Sequence, residues 1–309
     1  MTSRTLLCFL FLGTVSCLAD RRQVSDAGIT HSFLATGAET YIISGDGKVT
    51  WTYPAGTRDG WVLPSGNLLL ALSKSREVPG GGAAEVTRDG EVVFTFKGTQ
   101  SEVNTVQAVG KDRYLLTEAG PKPRLLEVDR SGKVLVEVPL DAQTKDTHLQ
   151  TRMSRKLKNG NYLVPQLLDK VVREYTPAGK IVWEARTPND PLECWPFTAI
   201  RLPDGHTLST CTHGNMIVEF DEGGTIVWQL TNADLPRPML KDPCGAQRLP
   251  NGNTVITSYG QNTPGEVKLL EVTREKKVVW TYRDNKPHGI HEFHVLDTNG
   301  KQLEGVPMR

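Results

Sequence analysis

Hydrophobic and polar positions alternate along short stretches of this chain, and the alternation restarts at regular intervals. Residues 180–185 show it cleanly: Ile181 and Trp183 fall on one face, Lys180, Val182 and Glu184 on the other. A period of two is that of a β-strand, whose successive side chains point to opposite faces. The pattern returns at Val49, Trp51 and Tyr53, at Val92, Phe94 and Phe96, and at Val278, Trp280 and Tyr282. A glycine opens most copies (Gly47, Gly90, Gly132, Gly179 and Gly224), and the copy ending at Trp280 lacks it. The large apolar anchors at 51, 94, 136, 183, 228 and 280 are 43, 42, 47, 45 and 52 residues apart.

A turn phrase sits between the copies. It reads Leu63-Pro64-Ser65-Gly66-Asn67, Leu157-Lys158-Asn159-Gly160-Asn161, Leu202-Pro203-Asp204-Gly205-His206 and Leu249-Pro250-Asn251-Gly252-Asn253, with weaker forms at residues 109–113 and 296–300. Asn-Gly suits a tight hairpin. Within residues 148–185 the signals give strands at 149–157, 162–168, 171–175 and 180–185, separated by turns. A period in the forties with four strands per unit is the signature of a β-propeller. Complete units run over residues 61–96, 104–138, 148–185, 196–230 and 244–282. The remainder predicts a sixth blade spliced from both ends, with an inner hairpin at 291–305 and an outer hairpin at 32–53. The predicted fold is an all-β, six-bladed propeller of four-stranded antiparallel blades, one domain over residues 20–309. The repeated aromatic of each outer strand is expected to pack on the neighbouring blade, with Trp183 largely buried.

Charge narrows the partners little. The 309 residues carry a formal charge of +1, which gives no reason to expect nucleic acid or an anionic membrane. Residues 1–19 read as a secretory leader: Arg4, an apolar run over 6–12, and Cys17-Leu18-Ala19 before Asp20. The run is too short to span a bilayer, and no later segment qualifies. The expected location is therefore secreted or periplasmic, the alternative being a lipoprotein anchored at Cys17. Cys194, Cys211 and Cys244 remain in the mature chain, an odd number that leaves at least one free thiol. A Cys194–Cys244 disulfide and three unpaired thiols both stay open. No cysteine spacing resembles a zinc site.

The Gly-x-x-x-Trp strands ending at Trp51, Trp183, Trp228 and Trp280 resemble the PQQ-like, quinoprotein alcohol dehydrogenase-like repeat. The resemblance covers the mature chain at the level of repeats. It would imply PQQ as cofactor, but those enzymes have eight blades, an adjacent-cysteine disulfide and a calcium site. The chain encodes six units and no Cys-Cys pair, and no calcium ligand set can be assembled, so no cofactor is expected. Asp129 and Asp221 also stand one residue closer to their glycines than in that repeat. The shorter turn and the six blades are similar to bacterial arylsulfotransferase-type propellers. That similarity implies a channel histidine as nucleophile, with arginine and histidine around a sulfate. Those proteins also carry an N-terminal β-domain, for which residues 20–31 leave no room.

Propeller ligands bind at a channel mouth, where the innermost strands begin. The position five residues before each turn leucine or its equivalent holds Arg58, Asn104, Arg152, Phe197, Cys244 and His291. Asp59, Trp61, His148, Trp195 and His288 lie beside it in sequence. The expected ligand-binding set is Arg58, Trp61, Asn104, His148, Arg152, Trp195, His288 and His291, with the tryptophans at the rim. Arginine and aromatic groups together suit an anionic or sugar-like small molecule. The bland alternative is a water-lined channel whose side chains only bond loops. In the run from His288 to His294, His291 and His294 fall on opposite faces, and Glu292 and His294 share one, so no metal is assigned. His206 and His213 are expected to be solvated in turns, and Gly80-Gly81-Gly82 to be a flexible hairpin without a phosphate-cradling helix.

The expected function is an exported, monomeric propeller that binds a small polar or anionic molecule, or a partner protein, at the channel mouth. One alternative is a group-transfer or hydrolytic enzyme with His291 or His148 as nucleophile or base and Arg58 and Arg152 holding an anion. Another is a scaffold that presents loops to other proteins.

Overall fold

The structure is a computed structural model and describes residues 21–190 and 193–309. The leader assigned to residues 1–19, with Cys17, lies outside the described residues. Six antiparallel sheets succeed one another along the chain as the blades of a propeller. Blade 1 comprises Thr57–Val62, Leu68–Leu72, Gly82–Val86 and Val92–Lys97. Blade 2 comprises Glu102–Val109, Arg113–Ala119, Arg124–Asp129 and Val134–Pro139. Blade 3 comprises Arg155–Lys156, Tyr162–Gln166, Val171–Tyr175 and Ile181–Arg186, and blade 4 Cys194–Arg201, Thr207–His213, Met216–Phe220 and Ile226–Thr231. Blade 5 comprises Ala246–Arg248, Thr254–Thr257, Val267–Val272 and Val278–Asp284. In each, the first strand is innermost.

The sixth blade is spliced from both ends, but not as two hairpins. The C-terminal part supplies one full inner strand, Ile290–Thr298. The N-terminal part supplies the next three, His31–Gly37, Thr40–Ile43 and Val49–Tyr53. The expected inner hairpin at 291–305 shrinks to a two-residue stub, Lys301–Gln302, paired to the far end of that strand. Phe33 and Ala35 are fully buried and Leu34 is too, so this segment has the apolar faces of an interior strand rather than a blade edge. Arg21–Val24, left outside the propeller by its lack of repeat, adds a fifth strand to the edge of blade 5.

The core is divided into wedges between neighbouring blades. Leu34 and Ile42 of blade 6 pack on Leu68 and Leu70 of blade 1. Leu115 and Leu125 of blade 2 pack on Tyr162 and Val164 of blade 3. Phe33 and Tyr41 of blade 6 pack on Leu269, Trp280 and Tyr282 of blade 5. Alternation makes this possible, because a blade must offer an apolar face to each neighbour.

The outer-strand tryptophans tie these wedges at their rims. Trp51 donates its indole N–H to Arg88 O at 3.1 Å, Trp183 to Glu222 O at 2.8 Å and Trp228 to Arg274 O at 2.9 Å, each on the following blade. Trp280 instead donates to Gln23 Oε1 at 2.8 Å, and Gln23 Nε2 passes the contact to Ser44 O and Gly45 O of blade 6. Trp183 therefore does reach the next blade, but it is only half-buried, with Arg201 over its ring at 4.7 Å. An outermost strand has solvent beyond it, so its aromatic is covered from one side. Trp280 is 1% exposed because residues 21–24 cover that edge.

A second device is equally periodic. Glu85, Glu127, Glu174, Glu219 and Glu271 each pair across the sheet with an outer-strand anchor. Each reaches the next blade: Glu85 to Arg130 at 3.2 Å, Glu127 to Lys156 at 2.6 Å, Glu174 to Arg201 at 3.0 Å, Glu219 to Arg248 at 3.2 Å and Glu271 to His31 at 2.8 Å. His206 belongs to this set, since its Nδ1 lies 3.0 Å from Glu219. It is not the solvated turn residue that its position suggested. The glycines at 80–82 are buried rather than flexible; a Cβ on Gly80 would stand 2.5 Å from Gln100 O.

The two tryptophans separate in a stability measurement. Trp280→Ala is expected to cost about 3–5 kcal/mol in chemical denaturation, as a fully buried aromatic does. Trp183→Ala is expected to cost about half of that, for a half-covered ring and one hydrogen bond. Equal costs would mean that residues 21–24 do not cover blade 5.

Candidate functional site

The innermost strands are interrupted where they reach the channel mouth. Pairing skips one residue between Thr57 and Asp59, between Val103 and Thr105 and between Ile290 and Glu292, and two between Pro196 and Ala199. A bulge residue is unpaired, and the bend re-aims its side chain. Arg58, Asn104 and His291 are the skipped residues in three blades, and Phe197 lies in the fourth bulge. Arg152 and Cys244 hold the same repeat position in blades 3 and 5.

The structure brings Arg58, Asn104, His148, Arg152 and His291 to one face of the disc. Glu102, at the head of the blade 2 inner strand, gathers the cations. Its Oε1 accepts from His148 Nδ1 at 2.9 Å and lies 3.0 Å from Lys74 Nζ, and its Oε2 lies 3.5 Å from Arg58 Nη2. Burial alone would raise this carboxyl. The His148 hydrogen bond and the charges of Arg58 and Lys74 outweigh it and hold the pKa at about 2. Arg152 is buried beneath. Its Nη1 donates to Thr151 O at 2.8 Å, and its Nε has no partner among the described residues. Burial first, and repulsion from Arg58 second, lower its pKa to about 10. Asn104 Nδ2 donates to the same carbonyl at 3.1 Å, while its Oδ1 is unpartnered.

His291 has a defined tautomer. Its Nδ1 lies 2.8 Å from Arg58 O, and a carbonyl only accepts, so Nδ1 carries the proton and Nε2 the lone pair. Phe197 and Tyr259 stand edge-on to the ring at 4.9 and 5.4 Å. Burial, then the charge of Arg58, pushes the pKa down to about 3, so the imidazole is neutral. The mouth thus has a cationic side from blades 1 to 3 and an aromatic side from blades 4 to 6. Trp195 belongs to the aromatic side, half-buried against Phe197 and Cys244 and stacked on His213 at 4.2 Å.

Two expected site residues are elsewhere. Trp61 is not at the rim. It lies deeper, buried against Leu69 and Val106 with its indole donating to Val106 O at 2.6 Å, because the strand runs inward past the bulge at Arg58. His288 lies instead against Glu39, 3.6 Å distant, and its carbonyl accepts from Lys268 Nζ at 3.0 Å. The sequence reading missed Lys74, Glu102 and Tyr259. Glu102 had a signal, standing two residues before Asn104 on the same strand; Lys74 and Tyr259 come from loops with no periodicity.

Below the mouth lies a second layer of buried charge. Asp59 Oδ2 pairs with Arg155 Nη1 at 2.8 Å, and Asp59 Oδ1 with Arg309 Nη2 at 3.1 Å. Glu292 Oε1 lies 3.5 Å from the same Arg309 nitrogen, and its Oε2 accepts from Thr198 Oγ1 at 3.1 Å. His294 Nδ1 accepts from Val62 N at 3.1 Å. Glu292 and His294 therefore have occupations other than metal. Asp204, His206 and Glu219 offer ligand atoms within 4.8 Å of one another, but Arg248 and Arg274 already hold Glu219. The three cysteines are free and buried, Cys194 beside Cys211 in one cluster and Cys244 in another.

Comparison with solved structures shows the fold. A protein of unknown function from Bacteroides caccae matches with TM-score 0.75 at 24% identity, over 91% of this chain and 99% of that one. A catalytically inactive virginiamycin B lyase from Staphylococcus aureus, solved with quinupristin, matches with TM-score 0.57 at 13% identity, over 85% of this chain and 98% of that one. The WD40 β-propeller domain of Doa1 matches with TM-score 0.55 at 12% identity, over 73% and 70%. No family model matches the chain, and no curated protein does. The PQQ-like and arylsulfotransferase likenesses thus rest on the repeats alone.

The buried neutral histidines set a pH dependence. A histidine whose folded pKa is depressed stabilises fully above its unfolded value and loses that contribution as pH falls. For His291 the window runs from 6.5 down to about 3, and burial and Arg309 push His294 the same way. Stability is expected to fall as pH drops below about 6.5, by up to about 1.4 kcal/mol per pH unit for each histidine. His291→Gln, whose amide can still donate to Arg58 O, should remove one such slope in urea titrations above the carboxylate range. An unchanged slope would show that His291 is not buried neutral.

Proposed function

We propose that the protein binds a small anionic molecule at the channel mouth. One observation carries the reading: Arg58, Lys74 and Arg152 converge with His148 on a single carboxylate, Glu102, which leaves surplus positive charge beside an aromatic wall. Arg58 is the movable part. Its 3.5 Å approach to Glu102 is longer than a hydrogen bond, so the guanidinium can turn to a ligand without breaking one. Tyr259, exposed above His291, and Trp195 supply faces for the ligand's apolar part. On the reading of residues 1–19 as a leader, the ligand is met outside the cytoplasm; none of the helices among the described residues is long and apolar enough to cross a membrane.

The test is calorimetric titration and thermal shift with sulfate, phosphate and sugar acids. A ligand of the folded state raises the melting temperature by mass action. Arg58→Ala is expected to weaken binding about 10- to 150-fold, the worth of a charge-assisted hydrogen bond at about 1.5–3 kcal/mol. A panel with no shift, or an unchanged affinity in Arg58→Ala, would remove the reading.

A second reading is favoured by the His291 tautomer. An imidazole with Nδ1 fixed on a carbonyl and its Nε2 lone pair available, beside two guanidinium groups, has the geometry of a base or nucleophile for an anionic substrate; as a base it needs the bound anion to raise its pKa from about 3. The lyase among the similar structures is 13% identical, which speaks for the fold alone. Under this reading His291→Gln abolishes turnover of a substrate that Arg58 and Arg152 hold. Under the binding reading it changes affinity only a few-fold.

A further inference from the structure

The floor of the channel has the composition of a binding site, and one of its four charges comes from outside the blades. The Arg309 side chain is fully buried there. Its Nη1 donates to Gly60 O at 2.5 Å and its Nη2 to Asp59 Oδ1 at 3.1 Å; Glu292 Oε1 is 3.5 Å away, and the guanidinium carbon stands 4.3 Å from the Trp61 ring centroid. Two carboxylates, a carbonyl and an aromatic face are the partners a guanidinium takes.

The walls are held without Arg309. Asp59 accepts from Gly60 N at 2.9 Å and Val106 N at 3.3 Å and pairs with Arg155. Glu292 accepts from Thr198 Oγ1 and from Phe293 N at 3.1 Å. Gly245 leaves room for it, since a Cβ there would meet Glu292 Oε1 at 2.4 Å. The segment that delivers Arg309 touches the blades at a few points. Leu303 N bonds Leu296 O, Val306 is 77% exposed, and the backbone next engages where Met308 O accepts from Arg248 N at 2.9 Å. Leu303 and Met308 also pack on the blade cores, Arg155 Nε donates to Arg309 O at 2.9 Å, and the Arg309 side chain fills the floor.

We propose that the channel floor is a preformed guanidinium-binding site, filled in cis by Arg309, that accepts a free alkylguanidinium in its place. The site is independent of whatever occupies the mouth. In full-length Arg309→Ala the floor retains Asp59 and Glu292 with a guanidinium-sized gap between Trp61 and Gly60. Methylguanidinium at millimolar concentration is expected to raise the melting temperature of this variant by several degrees. It should leave the wild type unchanged or slightly lowered, as a weak denaturant does. Methylammonium, with the charge but not the planar fork, should not rescue, and adding Glu292→Gln to Arg309→Ala should abolish rescue. Equal shifts in variant and wild type, or equal rescue by methylammonium, would overturn the proposal. Should Arg309→Ala fail to fold, Arg309→Gln is read in the same way. If neither variant folds even with methylguanidinium present, the proposal fails, because a preformed site filled in trans restores folding.

Discussion

The propeller depends on one non-covalent seam, the pairing of Ile290–Thr298 with His31–Gly37. A ring of blades has no covalent closure, and an open ring would expose an apolar blade face and a strand edge. The seam joins segments more than two hundred and fifty residues apart in the chain. It is reinforced on both sides. His31 lies between Glu271 of blade 5 and Thr298 of the closing strand, at 2.8 and 3.0 Å. Gln23 links Trp280 to the blade 6 turn. Two residues close to the start of the described chain thus serve the end of it, which is why the N-terminal segment is ordered into the fold.

Around the ring the same joint is made repeatedly, and its variations follow the chemistry available. Where the anchor is Trp, an indole N–H reaches the next blade's carbonyl. Where it is Phe94 or Val136 no N–H exists, and the buried glutamates Glu85 and Glu127 take Tyr114 and Tyr162 hydroxyls from the next blade. Blade 6 inverts the choice. Ile42 stands opposite Trp51, at the place of the glutamate, and the joint to blade 1 is apolar with one indole bond. A buried carboxylate is tolerated only with its partners in place, so the seam where the ring closes uses fewer charges at this rim.

Much of this was legible in the sequence. The spacing of Gly-x-x-x-Trp and of the Leu-Pro-x-Gly turns encodes blades because both are local: a turn type and a strand period are set by adjacent residues. The register five residues before the turn leucine located Arg58, Asn104 and His291 because the bulge recurs at the same distance from the turn. Legibility ended where contacts are non-periodic. The share of blade 6 given by each terminus follows from the burial of 31–37, which its short alternation did not reveal. Trp61 and His288 were placed by nearness in sequence to mouth residues, but three residues along an inner strand is a full layer of depth. Arg309 carries no pattern, since a tail that enters a channel needs only one fitting side chain. The glutamates were readable, each nine residues before its anchor, yet an acidic residue amid β-branched neighbours looks like a solvent-facing position until the next blade is known.

The bulges explain how one strand serves two sites of opposite sign. In a regular strand, neighbouring residues face opposite ways, and a channel would see every second one. At the bulges Arg58 and Asp59, and again His291 and Glu292, both turn towards the channel in successive layers. The upper layer gathers cations and a neutral histidine; the lower gathers carboxylates. Charges of one sign stacked in a low-dielectric channel repel, so each layer recruits what it lacks. The lower layer recruits Arg155 and Arg309, and its carboxylates become fully engaged. In the upper layer Glu102 is the carboxylate that Arg58, Lys74 and His148 approach directly, with Asp146 acting on Arg152 from further off. The imbalance of the mouth is therefore the counterpart of the neutralised floor. It falls beside the exposed Tyr259 ring, and that coincidence is what the proposed anion site rests on.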